Sequence, residues 1–248
     1  DRTGFIRTFY RALKTGTRSG AIGRIFITGV TPILLDDLAS GFNIISHVSQ
    51  HPMLNTLAGF TRADVERAVD EILAATPGLA KDPRLADRDA LLRVLEEYYN
   101  GYRFSPEATE RVFNSEMVLY FLQRIRTRAN WPSDMLDPNV RIDYGSLQRL
   151  GLLSGAQAEG RREILSTIVA EGHIHGKLVE QFGARTISTR EQFLSLLYYI
   201  GMLTLSAEQD DETSLRLEIP NRVIRELSWS HLAHMLEDED KLGLDTHV

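Results

Sequence analysis

Residues Phe193–Pro220 read FLSLLYYIGMLTLSAEQDDETSLRLEIP, and this stretch decides the fold of the C-terminal half of the chain. It begins with a nearly continuous apolar run, which predicts a buried helix. The runs MLTLSAE and SLRLEIP then predict two strands joined by the acidic turn QDDET. Another helix is predicted after Pro220-Asn221. The order helix, hairpin and helix is typical of a winged-helix domain.

The segment before this stretch is predicted to be mostly helical. Tyr144–Leu153 and Arg162–Ala170 have the apolar spacing of helices. The string HIHGKLVEQFG that follows fits either a helix or a strand. Two of its histidines, His173 and His175, are two residues apart, so in a strand both imidazoles would point to one face. No third ligand has a suitable spacing, and we therefore predict no metal site.

Residues 61–128 predict a small helical unit. Thr61 has the features of a helix N-cap, with Asp64 at the capping-box position three residues later. A second helix is expected to end near Tyr99, because Asn100-Gly101 is a good C-terminal stop. Ser115 is predicted to cap a third helix.

The N-terminal region predicts one helix and one strand. Residues 5–14 predict a helix, because Phe5, Phe9 and Leu13 are four residues apart on one face. The string RIFITGV (Arg24–Val30) is apolar at its centre without alternation, and it predicts a strand buried on both faces.

The composition excludes several functional classes. The 248 residues include no cysteine, so disulfides and thiolate metal sites are excluded, and a reducing cytoplasm is the expected location. No apolar run approaches the roughly 20 residues of a membrane span, and no membrane association is predicted. The net charge of −6 disfavours a general nucleic-acid-binding surface. The chain also has no phosphate-binding loop G-x-x-x-x-G-K-[ST] and no nucleophile elbow G-x-S-x-G.

Five strings in series resemble the family called AAA-ATPase-like, whose members commonly carry a PD-(D/E)XK nuclease-like domain after the ATPase part. The resemblance covers about residues 5–230. The strings are IFITGVTPILLDDLASGFNI (Ile25–Ile44), AGFTRADVERAV (Ala58–Val69), EEYYNGYRFS (Glu96–Ser105), ERVFNSEMVLYFL (Glu110–Leu122), and YYIGMLTL followed by LRLEIPNRVIREL.

The resemblance implies a mostly α fold with short β elements, in which a remnant of a P-loop ATPase α/β core precedes a helical lid and a winged-helix domain. The core part would be residues 1–60, with a sensor strand at 24–30. The lid would be residues 61–140, the winged-helix-like domain 141–236, and an acidic tail 237–248. The phosphate-binding loop and the acidic Walker B strand of such proteins would precede Asp1, and the nuclease-like domain would follow Val248.

The resemblance also implies site residues. Thr28 and Thr31, at the end of the sensor strand, could touch the γ-phosphate or the attacking water, or could simply satisfy backbone groups. Gly101, Tyr102 and Arg103 lie where such ATPases have a lid turn near the adenine. There the glycine would allow close approach, the tyrosine could stack on the base, and the arginine could reach phosphates. The alternative for this string is a helix C-cap followed by a packed aromatic.

The resulting expectation is a module that contributes to an ATP site in a larger protein and regulates an attached nuclease-like domain. ATP and Mg²⁺ are the implied cofactors of that larger protein, and this chain alone is not expected to hydrolyse ATP. Its partners would be the rest of its own polypeptide, another protein or a second copy. Two alternatives are a non-catalytic interaction scaffold and a winged-helix module that binds nucleic acid. The acids of QDDET disfavour the last, although Arg222 and Arg225 favour it.

Overall fold

The structure is a computed structural model that describes residues 2–28, 46–137, 158–179, 187–209 and 213–244. Within these ranges the chain is mostly α with short β, as predicted. The helices are α1 (Arg2–Arg18), α2 (Arg62–Ala75), α3 (Pro83–Ala86), α4 (Arg88–Tyr99), α5 (Ser115–Arg128), α6 (Ala158–Glu171), α7 (Arg190–Tyr199) and α8 (Arg222–Leu244). Short 3₁₀ helices span Pro52–Leu54 and Pro77–Lys81. The strands are β1 (His173–Gly176), β2 (Thr204–Leu205) and β3 (Leu215–Glu218).

The helical unit, residues 60–128, is built from α2, α4 and α5. At the start of α2 the Asp64 backbone N–H donates to the Thr61 hydroxyl at 3.3 Å, and the Thr61 N–H donates to the Asp64 carboxylate at 3.0 Å. The predicted capping box is therefore confirmed. Helix α5 begins at Ser115, but its N-cap is Asn114, whose side chain accepts the Met117 N–H. The prediction of Ser115 as the cap is wrong by one residue, because Asn114 already has the extended backbone and the acceptor that a cap needs.

The sheet unit, residues 158–244, combines the three strands with α6, α7 and α8. The strands form an antiparallel sheet in the order β1-β3-β2. The predicted hairpin is confirmed as β2 and β3, and the ambiguous string HIHG is a strand. Ile174, Leu205 and Leu217 are buried on one sheet face, in the core shared with the helices. Helix α7 is buried along residues 193–198, as its apolar run predicts.

The region from Ile22 to Thr28 differs from the prediction. Helix α1 includes the predicted helix 5–14, but residues 22–28 have no regular secondary structure. Phe26 is 70% exposed, so the prediction of a buried strand is wrong for residues 24–28. A strand needs a partner for its backbone groups, and no described residue pairs with this run. The rest of the predicted strand, Gly29 and Val30, and the predicted helix Tyr144–Leu153 lie outside the described residues.

Candidate functional site

Residues 100–104, called the joint below, are a segment of the helical unit that contacts the sheet unit. The joint begins where α4 ends, and Gly101 has a φ of 111°, a conformation that favours glycine. A Cβ atom at this position would lie 2.8 Å from the Pro220 carbonyl carbon and would collide with its oxygen. The group that approaches Gly101 in the structure is the chain before α8, at Pro220. The predicted approach of a nucleotide to this glycine stays a prediction.

Tyr102 packs inside the protein. Its backbone N–H donates to the Val112 carbonyl at 3.1 Å, and the Val112 N–H donates back at 2.8 Å. The phenol donates to the Gly201 carbonyl at 3.2 Å. The ring stacks on Phe104 with centroids 6.3 Å apart, and the residue is only 5% exposed. Stacking on an adenine would require this packing to open, so the geometry favours a packed aromatic over a base-binding tyrosine.

Arg103 connects the joint to the sheet through its backbone. Its N–H donates to the Thr204 hydroxyl at 2.7 Å, and that hydroxyl donates to the Arg103 carbonyl at 2.9 Å. The Leu205 N–H points to the same carbonyl at 3.4 Å. Arg103 therefore lies alongside β2. The residue is buried, with 8% of its surface exposed, and its Nε has no hydrogen-bond partner among the described residues.

Arg111 and Glu218 complete the polar group around Arg103. The Arg111 guanidinium is 2.7 Å from the Glu218 carboxylate, and this pair links the helical unit to β3. Burial lowers the pKa of the Arg103 guanidinium below its ordinary value, and the charge of Arg111 lowers it further. Glu218 acts in the opposite direction. Two guanidinium groups thus share the field of one carboxylate at the joint.

Further contacts hold the two units together on either side of the joint. The Asn221 amide donates to the Asn100 carbonyl at 3.0 Å, and the Tyr198 hydroxyl donates to the Phe104 carbonyl at 3.2 Å. Arg222 is 2.7 Å from Glu97 and lies over the ring of Tyr98. These contacts connect α4 and the joint to α7 and to the start of α8.

The predicted sensor residues are separate from this group. Thr28 is exposed in irregular backbone, and Thr31 lies outside the described residues. No hydrogen bond within the described ranges joins Thr28 to residues 101–103. The structure therefore brings together three of the five predicted site residues.

Sequence reasoning missed Arg111, Thr204 and Glu218. The alternation of leucine with Arg216 and Glu218 in LRLE indicates a polar sheet face, and this was the available signal for the glutamate. Nothing in the spacing of Arg103 and Arg111 indicates that their side chains are neighbours. Their relation depends on the bridge between Tyr102 and Val112.

The histidine pair lies in a strand, one of the two structures that the string HIHG fits. His173 and His175 lie on one face of β1, with ring centroids 5.7 Å apart. In the part of the chain that the structure describes, no three histidine, aspartate or glutamate side chains are grouped to hold a metal ion. The same part contains no helix that is both long and apolar enough to cross a membrane.

Comparison with protein-family models, curated proteins and solved structures finds no match to this chain. The AAA-ATPase-like family, the ATP site and the nuclease-like domain therefore stay predictions that rest on the strings quoted above.

Proposed function

We propose that this chain is the lid and winged-helix part of an AAA-ATPase-like protein and that it contributes to an ATP site whose phosphate-binding loop lies outside this sequence. The helical unit corresponds to the lid and the sheet unit to the winged helix. The order α6, β1, α7, β2, β3, α8, with the acidic connection between β2 and β3, supports the second assignment.

The observation that carries the proposal is the joint. Gly101 fits against Pro220, Tyr102 bonds to Gly201, and Arg103 bonds to Thr204, so one five-residue segment of the helical unit is packed into the sheet unit. A lid that closes over a nucleotide through a hinge elsewhere would therefore move the winged helix with it. This is a physical route by which nucleotide binding could regulate an attached nuclease-like domain.

Calorimetry with MgATP and with magnesium triphosphate tests the proposal. The titrations use this chain and a form extended to include a phosphate-binding loop. We expect the extended form to bind MgATP at least tenfold more tightly than triphosphate, because adenine recognition requires the complete site. We expect this chain alone to make no such distinction, because it has no phosphate-binding loop G-x-x-x-x-G-K-[ST] to complete the site. An extended form that did not prefer ATP would contradict the proposed ATP site.

A non-catalytic interaction scaffold is the second candidate, and a different surface favours it. Phe5 and Phe9 on α1 are 76% and 52% exposed, and Phe26 is 70% exposed. Exposed aromatic side chains on one segment are a feature of protein-binding surfaces. The occupant would be another part of the same polypeptide, a second copy or another protein. Sedimentation of Phe5→Ser and Phe9→Ser would test the second-copy case, since unchanged association would exclude these side chains from the interface.

Nucleic-acid binding through α7 is disfavoured. Residues 193–198 of this helix are all buried, so the helix has no long exposed face for a DNA groove. Arg222, which the sequence left as a candidate for nucleic-acid contact, is paired with Glu97 and Glu226.

A further inference from the structure

The Arg103 guanidinium is a buried charge that lacks full compensation. Charged side chains are almost never fully buried unless they are paired, because removing a charge from water is costly. Arg103 is 8% exposed, and its Nε has no hydrogen-bond partner among the described residues. Glu218, the acid whose charge acts on Arg103, is bonded to Arg111. The Nε–H of Arg103 is thus a donor for which the described residues supply no acceptor.

Arg103 and Arg111 are neighbours across a backbone bridge. Tyr102 and Val112 form the antiparallel bridge, so the next pair along it, Arg103 and Arg111, has both side chains on the opposite face from Tyr102. Both guanidinium groups lie in the field of Glu218. The local charge is therefore two cations and one anion, which leaves one positive charge.

The seam, where the helical unit contacts the sheet unit, is accessible to solvent at Arg111 and Glu218. The Arg111 side chain is 37% exposed and the Glu218 side chain is 19% exposed, whereas Arg103 is only 8% exposed. A small anion that reached Arg111 from solvent would also approach the buried Arg103. Glu218 occupies the position of such an anion in the present structure, because its carboxylate accepts the Arg111 N–H at 2.7 Å.

We propose that Arg103 and Arg111 form a binding site for a phosphoryl group at the seam between the helical unit and the sheet unit, with Glu218 as the group that the ligand displaces. A guanidinium presents parallel N–H donors that match phosphate oxygens, and two guanidinium groups balance the charge of a phosphate dianion. Glu218 then turns toward its exposed side. This site is formed by the chain itself and does not depend on the proposed ATP site.

The ligand chemistry is a phosphoryl group, supplied either by free phosphate or by a phosphorylated small molecule. Adenine recognition is not part of the site, since Tyr102 points to the other face of the bridge and is packed inside. Inorganic phosphate, pyrophosphate and AMP are therefore suitable probes. If AMP binds no more tightly than inorganic phosphate, the site recognises the phosphoryl group alone. If it binds more tightly, a nucleotide is the favoured source.

Calorimetric titration of this chain with pyrophosphate at low salt tests the proposal. We expect binding to weaken roughly tenfold or more in Arg111→Met and in Arg103→Met, because each loses charge-assisted hydrogen bonds. Glu218→Gln keeps the shape, removes the competing charge, and should strengthen binding several-fold. Arg93→Met is the matched control. It removes a cation whose side chain is 70% exposed, and it should leave the affinity unchanged.

Arg103→Met is the variant most at risk of altered folding, and Glu218→Gln and Arg111→Met provide independent tests if it misfolds. The proposal is overturned if pyrophosphate does not bind, or if Arg111→Met and Arg93→Met weaken binding equally, which would indicate attraction by general surface charge. An unchanged affinity in Glu218→Gln would also contradict displacement of that carboxylate. Because these titrations use this chain and adenine-free ligands, their outcome is separate from that of the MgATP experiment on the extended form.

Discussion

Gly101→Ala is the substitution that tests the joint most severely. The new methyl group would lie 2.8 Å from the Pro220 carbonyl carbon and would collide with the oxygen, at a backbone φ of 111°. Strain at positive φ costs about 1–3 kcal/mol, and overpacking against backbone costs about 1–3 kcal/mol more. We therefore expect a loss of about 2–6 kcal/mol in the free energy of unfolding, from a total that is typically about 5–15 kcal/mol.

Two other glycines separate these contributions. Gly172 also has positive φ, at 78°, but its Cβ would meet only the flexible end of Arg225 at 3.6 Å. Gly172→Ala should therefore show the strain alone, about 1–2 kcal/mol. Gly160 lies in α6, and a Cβ atom added there would have no neighbouring atom within 4 Å. Gly160→Ala should therefore stabilise the helix by about 0.5–1 kcal/mol.

Urea denaturation followed by circular dichroism measures all three variants. At this chain length the Gly101→Ala loss corresponds to a fall in Tm of roughly 4–24 °C. A loss no greater than that of Gly172→Ala would refute the contact with Pro220. Gly101→Val should lower the free energy of unfolding more than Gly101→Ala does, because a β-branched side chain adds further bulk next to Pro220.

Two further predictions concern packing and pH. Tyr102→Ala should cost about 3–5 kcal/mol of stability, and a melting temperature equal to that of the unmodified chain would mean that the ring is not packed in the core. Hydrogen bonds from the Thr61 hydroxyl and N–H hold the pKa of Asp64 below its ordinary value. The stability that they provide is therefore present above the pKa of Asp64 in the unfolded chain, about 4, and it is lost as the pH falls through the lower pKa of the folded state. Asp64→Asn should lessen the difference in stability between neutral and strongly acidic solution, and an identical pH profile would contradict this role of the capping box.

Local features of the fold could be predicted from the sequence. The capping box at Thr61 and Asp64 depends on residues three apart, and the hairpin depends on two apolar runs and one turn, so short-range chemistry is sufficient. The apolar run after Arg24 was misleading, because such a run does not reveal whether another strand is available to pair with it. The cap of α5 was missed by one residue, since Asn114 and Ser115 are both good caps by composition.

The candidate site could be predicted only in part. Gly101, Tyr102 and Arg103 were selected because they form one string, and the structure shows what each contacts. Arg111 and Glu218 are 107 positions apart, and only the packing of the two units brings them together. Sequence patterns also do not tell on which side of a backbone bridge a side chain lies, and this side is what separates buried Tyr102 from the charged group around Arg103.

The proposed function requires that the joint hold the helical unit and the sheet unit together, so that the two move as one body. Hydrogen exchange of this chain, resolved to single amides, tests it most directly. The amides of Tyr102 and Arg103 donate to Val112 and Thr204, so they should be as strongly protected as the core amides of α5 and β3. Exchange of the joint amides at least a hundredfold faster than that of both cores would mean that the two units separate locally, and it would contradict the claim.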